Sequence, residues 1–255
     1  MSKEFEAARA LVKMLEEREQ SNKVKLESLK AGETFCIGEN DYIVLEQREG
    51  KTKVISKDFI AEDRKFADDT ADYKTSGLRK YIEAEIQPTI ENEVGAENLV
   101  EHRVSLETVD GQDNYGELTC KVRPITFDEA RQYNNLIVNK DLNDWWWTCT
   151  AWTSPNREYN RSMTVVLPSG NINNNNCNNS NGVRPFCVKQ AVRVGIKPKS
   201  AKDTKKQMTF PKRINTKEFL LWIKILYAIF KIYTKHTEKQ NLARNLMEVV
   251  RDFKQ

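Results

Sequence analysis

The chain has 255 residues, 31% of them charged, and its mean hydropathy is −0.69. This length allows one large domain or one domain with appendages, and a hydrophobic fraction of 39% is enough for an ordinary core. No apolar run reaches the roughly 18 residues that span a bilayer, and the start of the sequence lacks the apolar segment of a secretory signal. We therefore expect neither a transmembrane helix nor a signal peptide.

The net charge of +4 conceals an asymmetry between the two parts of the chain. Residues 188–255 contain 17 Lys and Arg against 5 Asp and Glu, whereas residues 1–187 contain 24 against 32. An acidic body is thus followed by a basic tail. No folded nucleic-acid-binding motif accompanies the tail, so we do not expect a nucleic-acid partner.

Cysteine and histidine restrict the chemistry that is available. The five cysteines, without a CxxC pair, are Cys36, Cys120, Cys149, Cys177 and Cys187. Only two histidines occur, His102 and His236, and none of these residues has zinc-finger spacing. Scattered cysteines are usually small buried hydrophobic residues, and the phosphate-loop, dinucleotide-binding and nucleophile-elbow motifs are missing. We expect reduced thiols, no metal, no cofactor and no catalytic residue.

The first segment, residues 1–29, is predicted to be an N-terminal helix because it is rich in Ala, Leu, Glu and Lys and lacks Gly and Pro. A seven-residue repeat places apolar residues at both ends of one stripe and polar residues in its middle. Two interpretations remain open: a single amphipathic helix packed on the domain, and a coiled coil that makes a homo-oligomer.

The next elements are predicted from turns and caps. Short β-rich runs over residues 30–60, separated by Gly38–Asn40 and by Glu49–Gly50, indicate a β-meander. Residues 74–99 have helical periodicity, with Ser76 as the N-cap and Pro88 as a break in the run.

Further along the chain, residues 118–126 are predicted to be a strand, and Thr126 with Glu129 is predicted to form a capping box. Residues 163–172 and 183–194 are predicted to be strands, and Asn181-Gly182 is predicted to be a turn.

The basic end of the chain is predicted to contain a Lys- and Pro-rich linker, 197–214, and a helical segment, 215–255. Within that segment, residues 219–233 are apolar nearly all round but interrupted by Lys224 and Lys231. We favour a buried or helix-pairing face over contact with a membrane surface, because the lysines are not confined to one polar face.

The most unusual string lies between Asn171 and Asn181, where 8 of 11 residues are Asn. Asn is a poor helix and strand former because its side chain competes with the backbone for hydrogen bonds. We therefore expect this stretch to be exposed, irregular or loosely paired, on a surface supported by the strands that flank it. One alternative is an Asn-rich loop without a function.

Several strings, in this order, resemble a family of bacterial and phage domains with the C-type-lectin-like fold of formylglycine-generating enzymes. They are residues 29–60, 73–86, 124–133, 144–149, 166–172 and 182–186. The family's Gly-Val-Arg-Pro motif is matched in full at 182–185, and its Trp-Trp-Leu-Arg-Ser motif is matched only at Trp146 and Trp147. The resemblance implies an α+β, C-type-lectin-like ligand-binding domain over residues 30–196.

The Asn run also resembles the variable region of proteins diversified by retroelements, in which a reverse transcriptase mutates template adenines. Asn codons begin with two adenines, and changing either cannot create a stop codon. The resemblance implies variable, ligand-facing positions at Asn156, Tyr159, Asn160, Asn171, Asn173, Asn174, Asn175, Asn176, Asn178, Asn179 and Asn181. It implies scaffold roles, with a core Trp pair, a turn glycine and a packed arginine, for Trp146, Trp147, Gly182, Arg184 and Pro185.

The preferred hypothesis is a phage- or prophage-encoded protein, in a virion or in the bacterial cytoplasm before assembly, that binds a protein or glycan on a host or target surface. An enzyme is disfavoured because Cys177 and Cys187 are the only close pair of cysteines, and Cys177 lies inside the Asn run. A calcium site is disfavoured because Glu158 is the only carboxylate between Asp144 and Asp203. The alternative is a structural or assembly protein whose Asn-rich loop is inert.

Overall fold

The computed structural model describes residues 23–190 and 193–195, and this part of the chain is mostly β with a few short helices. The strands are β1 Lys23–Lys25, β2 Thr34–Ile37, β3 Asn40–Arg48, β4 Lys51–Ser56, β5 Ala61–Lys65, β6 Leu99–Val100, β7 His102–Ser105, β8 Glu117–Cys120, β9 Val122–Arg123, β10 Trp146–Ala151, β11 Ser162–Val166, β12 Ile172–Asn176, β13 Ser180–Val183, β14 Phe186–Gln190 and β15 Arg193–Gly195. The helices are α1 Gly77–Tyr81, α2 Gln87–Val94, α3 Phe127–Gln132 and α4 Asn134–Ile137, with single turns of 3-10 helix at Leu26–Ser28 and Ala96–Asn98.

The strands form two main sheets and a β7–β8 hairpin. The larger sheet has eight strands in the order β1-β15-β2-β3-β4-β14-β6, with β9 also paired to β14. The smaller sheet has five strands in the order β12-β11-β10-β13-β5. Strand β13 leads directly into β14, so the stretch around residues 184–185 joins the two sheets.

The predicted β-meander over residues 30–60 is confirmed as strands β2, β3 and β4. The loop between β3 and β4 consists of Glu49 and Gly50, whose φ values are 53° and 72°. Two successive positive φ values are the mark of a type I′ hairpin turn, whose twist matches that of the strands it joins.

The N-terminal helix prediction is wrong where the structure describes it. Lys23–Lys25 is strand β1, and it pairs antiparallel with β15 through Val24 and Val194. Leu26, which follows, is fully buried in the core. The helical pattern failed here because β15, the strand that pairs with β1, lies about 170 residues further along the chain. Since β1 belongs to the sheet, the domain begins by Lys23 rather than at residue 30. Residues 1–22, the linker 197–214 and the segment 215–255 lie outside the described residues.

Of the helix predicted over residues 74–99, the part from 77 to 94 is present, it begins where its cap places it, and Leu99 instead begins β6. The Ser76 hydroxyl accepts a hydrogen bond from the Arg79 N–H at 3.1 Å. Pro88 does not break the run, contrary to the prediction. A π-helical turn, Ile82–Ile86, joins α1 to α2, and Pro88 sits in the first turn of α2, where the proline nitrogen needs no hydrogen-bond partner.

The capping box at Thr126 is confirmed and is part of a larger buried group. Glu129 accepts from the Thr126 N–H and also binds both terminal nitrogens of Arg123, at 2.6 and 2.7 Å. The Arg123 Nε donates to Nε2 of His102 at 3.1 Å, and its guanidinium lies 4.3 Å from the centre of the Phe186 ring. Burial, followed by the Arg123 charge, lowers the pKa of His102 to about 4.

Strand β10 separates two hydrophobic clusters. Successive side chains of a strand point to opposite faces, so Trp147 packs in the larger cluster and Trp146 in the smaller one. All six residues of β10 are buried. The Trp147 indole N–H also donates to the Arg64 carbonyl at 2.6 Å, which ties β10 to β5.

Candidate ligand-binding surface

Most of the Asn run is an ordered edge strand of the five-stranded sheet. In β12, Asn173, Asn174 and Asn175 lie opposite Val165, Thr164 and Met163 of β11. None of residues 172–176 is buried, as expected, but the expectation of an irregular segment is wrong for them. The completely buried strand β11 supplies a rigid ladder, and this tertiary pairing outweighs the poor strand propensity of Asn.

The turn after β12 lies at residues 177–179, and the turn predicted at Asn181-Gly182 is wrong. Both residues belong to β13, and Gly182 lies next to Trp146 of β10. A Cβ atom on Gly182 would lie 2.5 Å from the Phe59 ring. Glycine is thus needed here for close packing of a side chain on the backbone, not for a turn.

The predicted ligand-facing positions differ in their exposure. Eight of them are exposed: Asn156, Tyr159, Asn160, Asn171, Asn173, Asn176, Asn178 and Asn179. Asn174 and Asn175 are partly buried. Asn181 is only 2% exposed, so its assignment as a ligand-facing residue is wrong.

Asn175 organises the turn through its side chain. Its Oδ1 accepts from Asn179 Nδ2 at 2.6 Å and from the Asn176 N–H at 3.0 Å, while its Nδ2 donates to Asn181 Oδ1 at 3.2 Å. The side chains of Asn171, Asn174 and Asn178, in contrast, have no hydrogen-bond partner among the described residues. The run therefore contains Asn residues that build the surface and Asn residues whose amides are free to bind a partner.

A second exposed segment is the loop between β10 and β11. Tyr159 is 64% exposed, and it has a φ of 60°, a left-handed conformation that costs a non-glycine residue about 1–2 kcal/mol. Around it, Arg157 binds Asp110 at 2.6 Å and Arg161 donates to the Asp68 carbonyl at 2.7 Å. These contacts hold the loop in place and keep the Tyr159 ring in solvent.

The loop and the Asn strand form one continuous surface. The Cys177 N–H donates to the Arg161 carbonyl at 2.7 Å, and Ser162 lies opposite Asn176 in the ladder. This candidate recognition surface, residues 153–161 and 171–179, contains only three charged residues: Arg157, Glu158 and Arg161. The Thr108 hydroxyl, followed by Arg157, lowers the pKa of Asp110 and keeps that carboxylate ionised.

The residues assigned to the scaffold are all buried. Arg184 donates from Nε to the Ser56 carbonyl at 2.9 Å and from Nη1 to the Ile137 carbonyl at 2.7 Å, and its guanidinium lies 4.7 Å from the centre of a Trp146 ring. Burial lowers the pKa of Arg184 to about 10. Arg184 thus links the β13–β14 connection to β4 and α4.

The buried cysteines have the opposite electrostatics from an activated thiol. Burial raises the pKa of Cys149 to about 12 and that of Cys187 to about 11, whereas a nucleophilic cysteine needs a lowered pKa. No group of three or more His, Cys, Asp or Glu residues that could hold a metal ion occurs within residues 23–190 and 193–195. In that same part of the chain, no helix is long and apolar enough to cross a membrane.

A concavity of about 390 Å³, which no sequence pattern indicates, lies at the β5 edge of the sheet. It is bordered by Arg64, Lys65, Tyr81 and Ser180, and the Arg64 guanidinium lies 4.0 Å from the centre of the Tyr81 ring. No sequence signal marks it, because β5 and α1 meet only through the fold.

The comparisons with known proteins found no protein-family model, no curated protein and no solved structure that matches this chain.

Proposed function

We propose that this protein is a non-enzymatic, C-type-lectin-like recognition protein that binds a protein or glycan on a host or target surface. The observation that supports it best is the recognition surface itself. Unpaired amides and an exposed aromatic ring stand on a strand and a loop that buried strands hold in place. Exposed polar segments on a rigid scaffold are typical of binding sites.

We further propose that a retroelement diversifies this surface and that a phage or prophage encodes the protein, which acts in the virion after synthesis in the bacterial cytoplasm. The exposure of eight of the eleven candidate positions supports this proposal. The nucleotide sequence around the gene tests it. A reverse-transcriptase gene and a near-duplicate of the segment encoding residues 145–187 are expected nearby, and the lack of both would overturn diversification while leaving binding intact.

Binding itself is tested with the full chain and intact cells of the bacterium that carries the gene. The variant Tyr159→Ala/Asn174→Ala/Asn178→Ala removes the exposed ring and two unpaired amides, and we expect it to bind the cells at least about 10-fold more weakly. The matched control is Asn143→Ala, an exposed Asn outside the recognition surface. Equal binding by wild type and variant would favour an assembly protein with an inert Asn-rich segment.

A further inference from the structure

Strand β12 leaves one side of the five-stranded sheet open. Among residues 23–190 and 193–195 it pairs only with β11, and Asn173 and Asn176 are exposed. An open strand edge is a template for pairing with another chain. Proteins usually protect such an edge with charges or proline, and residues 171–181 contain neither.

The hydrogen bonds at the two ends of β12 show which backbone groups face the open side. The Leu167 N–H donates to the Asn171 carbonyl at 2.8 Å, and the Cys177 N–H donates to the Arg161 carbonyl at 2.7 Å. Residues of an antiparallel strand alternate between facing the partner and facing away. Residues 171, 173, 175 and 177 therefore face β11, and the N–H and C=O groups of 172, 174 and 176 face the open side.

Side chains within the strand already occupy two of these three outward N–H groups. The Asn174 N–H donates to Oδ1 of Asn173 at 2.8 Å, and the Asn176 N–H donates to Oδ1 of Asn175 at 3.0 Å. The outward carbonyl of Asn176 accepts from the Asn179 N–H at 3.0 Å. An incoming strand would have to displace these bonds before it could pair.

We propose that Asn173 and Asn175 keep the β12 edge closed to a second copy of this chain. An antiparallel edge is self-complementary about a two-fold axis, so the same edge of another copy is the partner that the geometry admits. Amide side chains provide this protection without adding charge to the Asn-rich part of the recognition surface, residues 171–179. This role belongs to the sequence as it stands, since Asn173 and Asn175 are also among the positions proposed to vary, and its test measures mass and exchange rather than ligand binding.

The test uses Asn173→Ala in the full chain, because Asn173 caps the edge without holding the turn as Asn175 does. Mass is measured by light scattering over a range of concentrations, and backbone hydrogen exchange is followed at Asn174. We expect Asn174 to exchange several-fold faster than in wild type at low concentration. At high concentration we expect a species of twice the wild-type mass, in which Asn174 is protected again.

Two comparisons complete the test. Asn178→Ala removes an exposed amide that has no partner among the described residues and should keep the wild-type mass and exchange. Asn173→Asp retains the acceptor oxygen and should remain like wild type in high salt, where the added charge is screened. Wild-type mass and exchange in Asn173→Ala would overturn the proposal, as would a mass increase that leaves Asn174 unprotected.

Discussion

Strands β10 and β12 belong to the same sheet, with only β11 between them, but they differ in burial and in the type of side chain that they carry. All six residues of β10 are buried, whereas none of the five residues of β12 is. Tryptophans on both faces of β10 pack in two cores, while the asparagines of β12 bond to one another and are exposed or partly buried. The difference shows how a rigid layer can support a surface whose side chains add little to folding.

The two strands should therefore respond differently to substitution. Changes in β10 and its buried partners should lower the free energy of unfolding, and changes at exposed asparagines without partners should alter binding alone.

Trp147→Ala should lower the free energy of unfolding by about 4 kcal/mol, because it leaves a large cavity in the main core and removes the bond to Arg64. Urea denaturation measures the loss. Asn178→Ala, the exposed counterpart, should change stability by less than about 0.5 kcal/mol. Similar losses in both variants would contradict the division between scaffold and surface.

Glu129→Ala should cost about 3 kcal/mol, because it leaves the buried guanidinium of Arg123 without its carboxylate and removes half of the Thr126 capping box. The same denaturation experiment measures it. Asp128→Ala is a suitable control, since Asp128 is an exposed carboxylate in the same helix turn. A loss no greater than that of the control would show that Arg123 finds another partner.

Stability should fall by on the order of 2 kcal/mol between pH 6.5 and pH 4 through His102 alone. Burial holds the folded-state pKa of His102 at about 4, below the ordinary value of 6.5. In this range the unfolded chain takes up a proton that the folded chain does not, so acid favours unfolding until the folded-state pKa is reached. His102→Gln should show a shallower decline than wild type, and parallel curves would refute the assignment.

Tyr159→Gly should raise the free energy of unfolding by about 1 kcal/mol, because glycine adopts the left-handed conformation without strain. The same change should weaken cell binding, because it removes the exposed ring. Stability and binding would then move in opposite directions, as expected for a residue retained for recognition. Tyr159→Phe keeps the ring and the strain, and should match wild type in stability.

Most features governed by near neighbours were predicted correctly from the sequence, and the break expected at Pro88 is the exception. The Ser76 and Thr126 caps depend on residues three positions away, and the Glu49–Gly50 hairpin depends on its own two residues. The errors arose where distant segments meet. Gly182 suggested a turn because it follows Asn181, yet its role is to accept the Phe59 ring from another part of the chain.

By itself, the sequence determined the β-meander over residues 30–60, the caps at Ser76 and Thr126, and an uncharged Asn-rich stretch next to a predicted strand. Only the tertiary structure decided that this stretch is an edge strand, that Asn181 is buried, and that Tyr159 is held in solvent in a left-handed conformation. The physical reason is the separation along the sequence of the residues that interact. Caps and hairpin turns form between residues a few positions apart, whereas sheet pairing and burial depend on segments that only folding brings together.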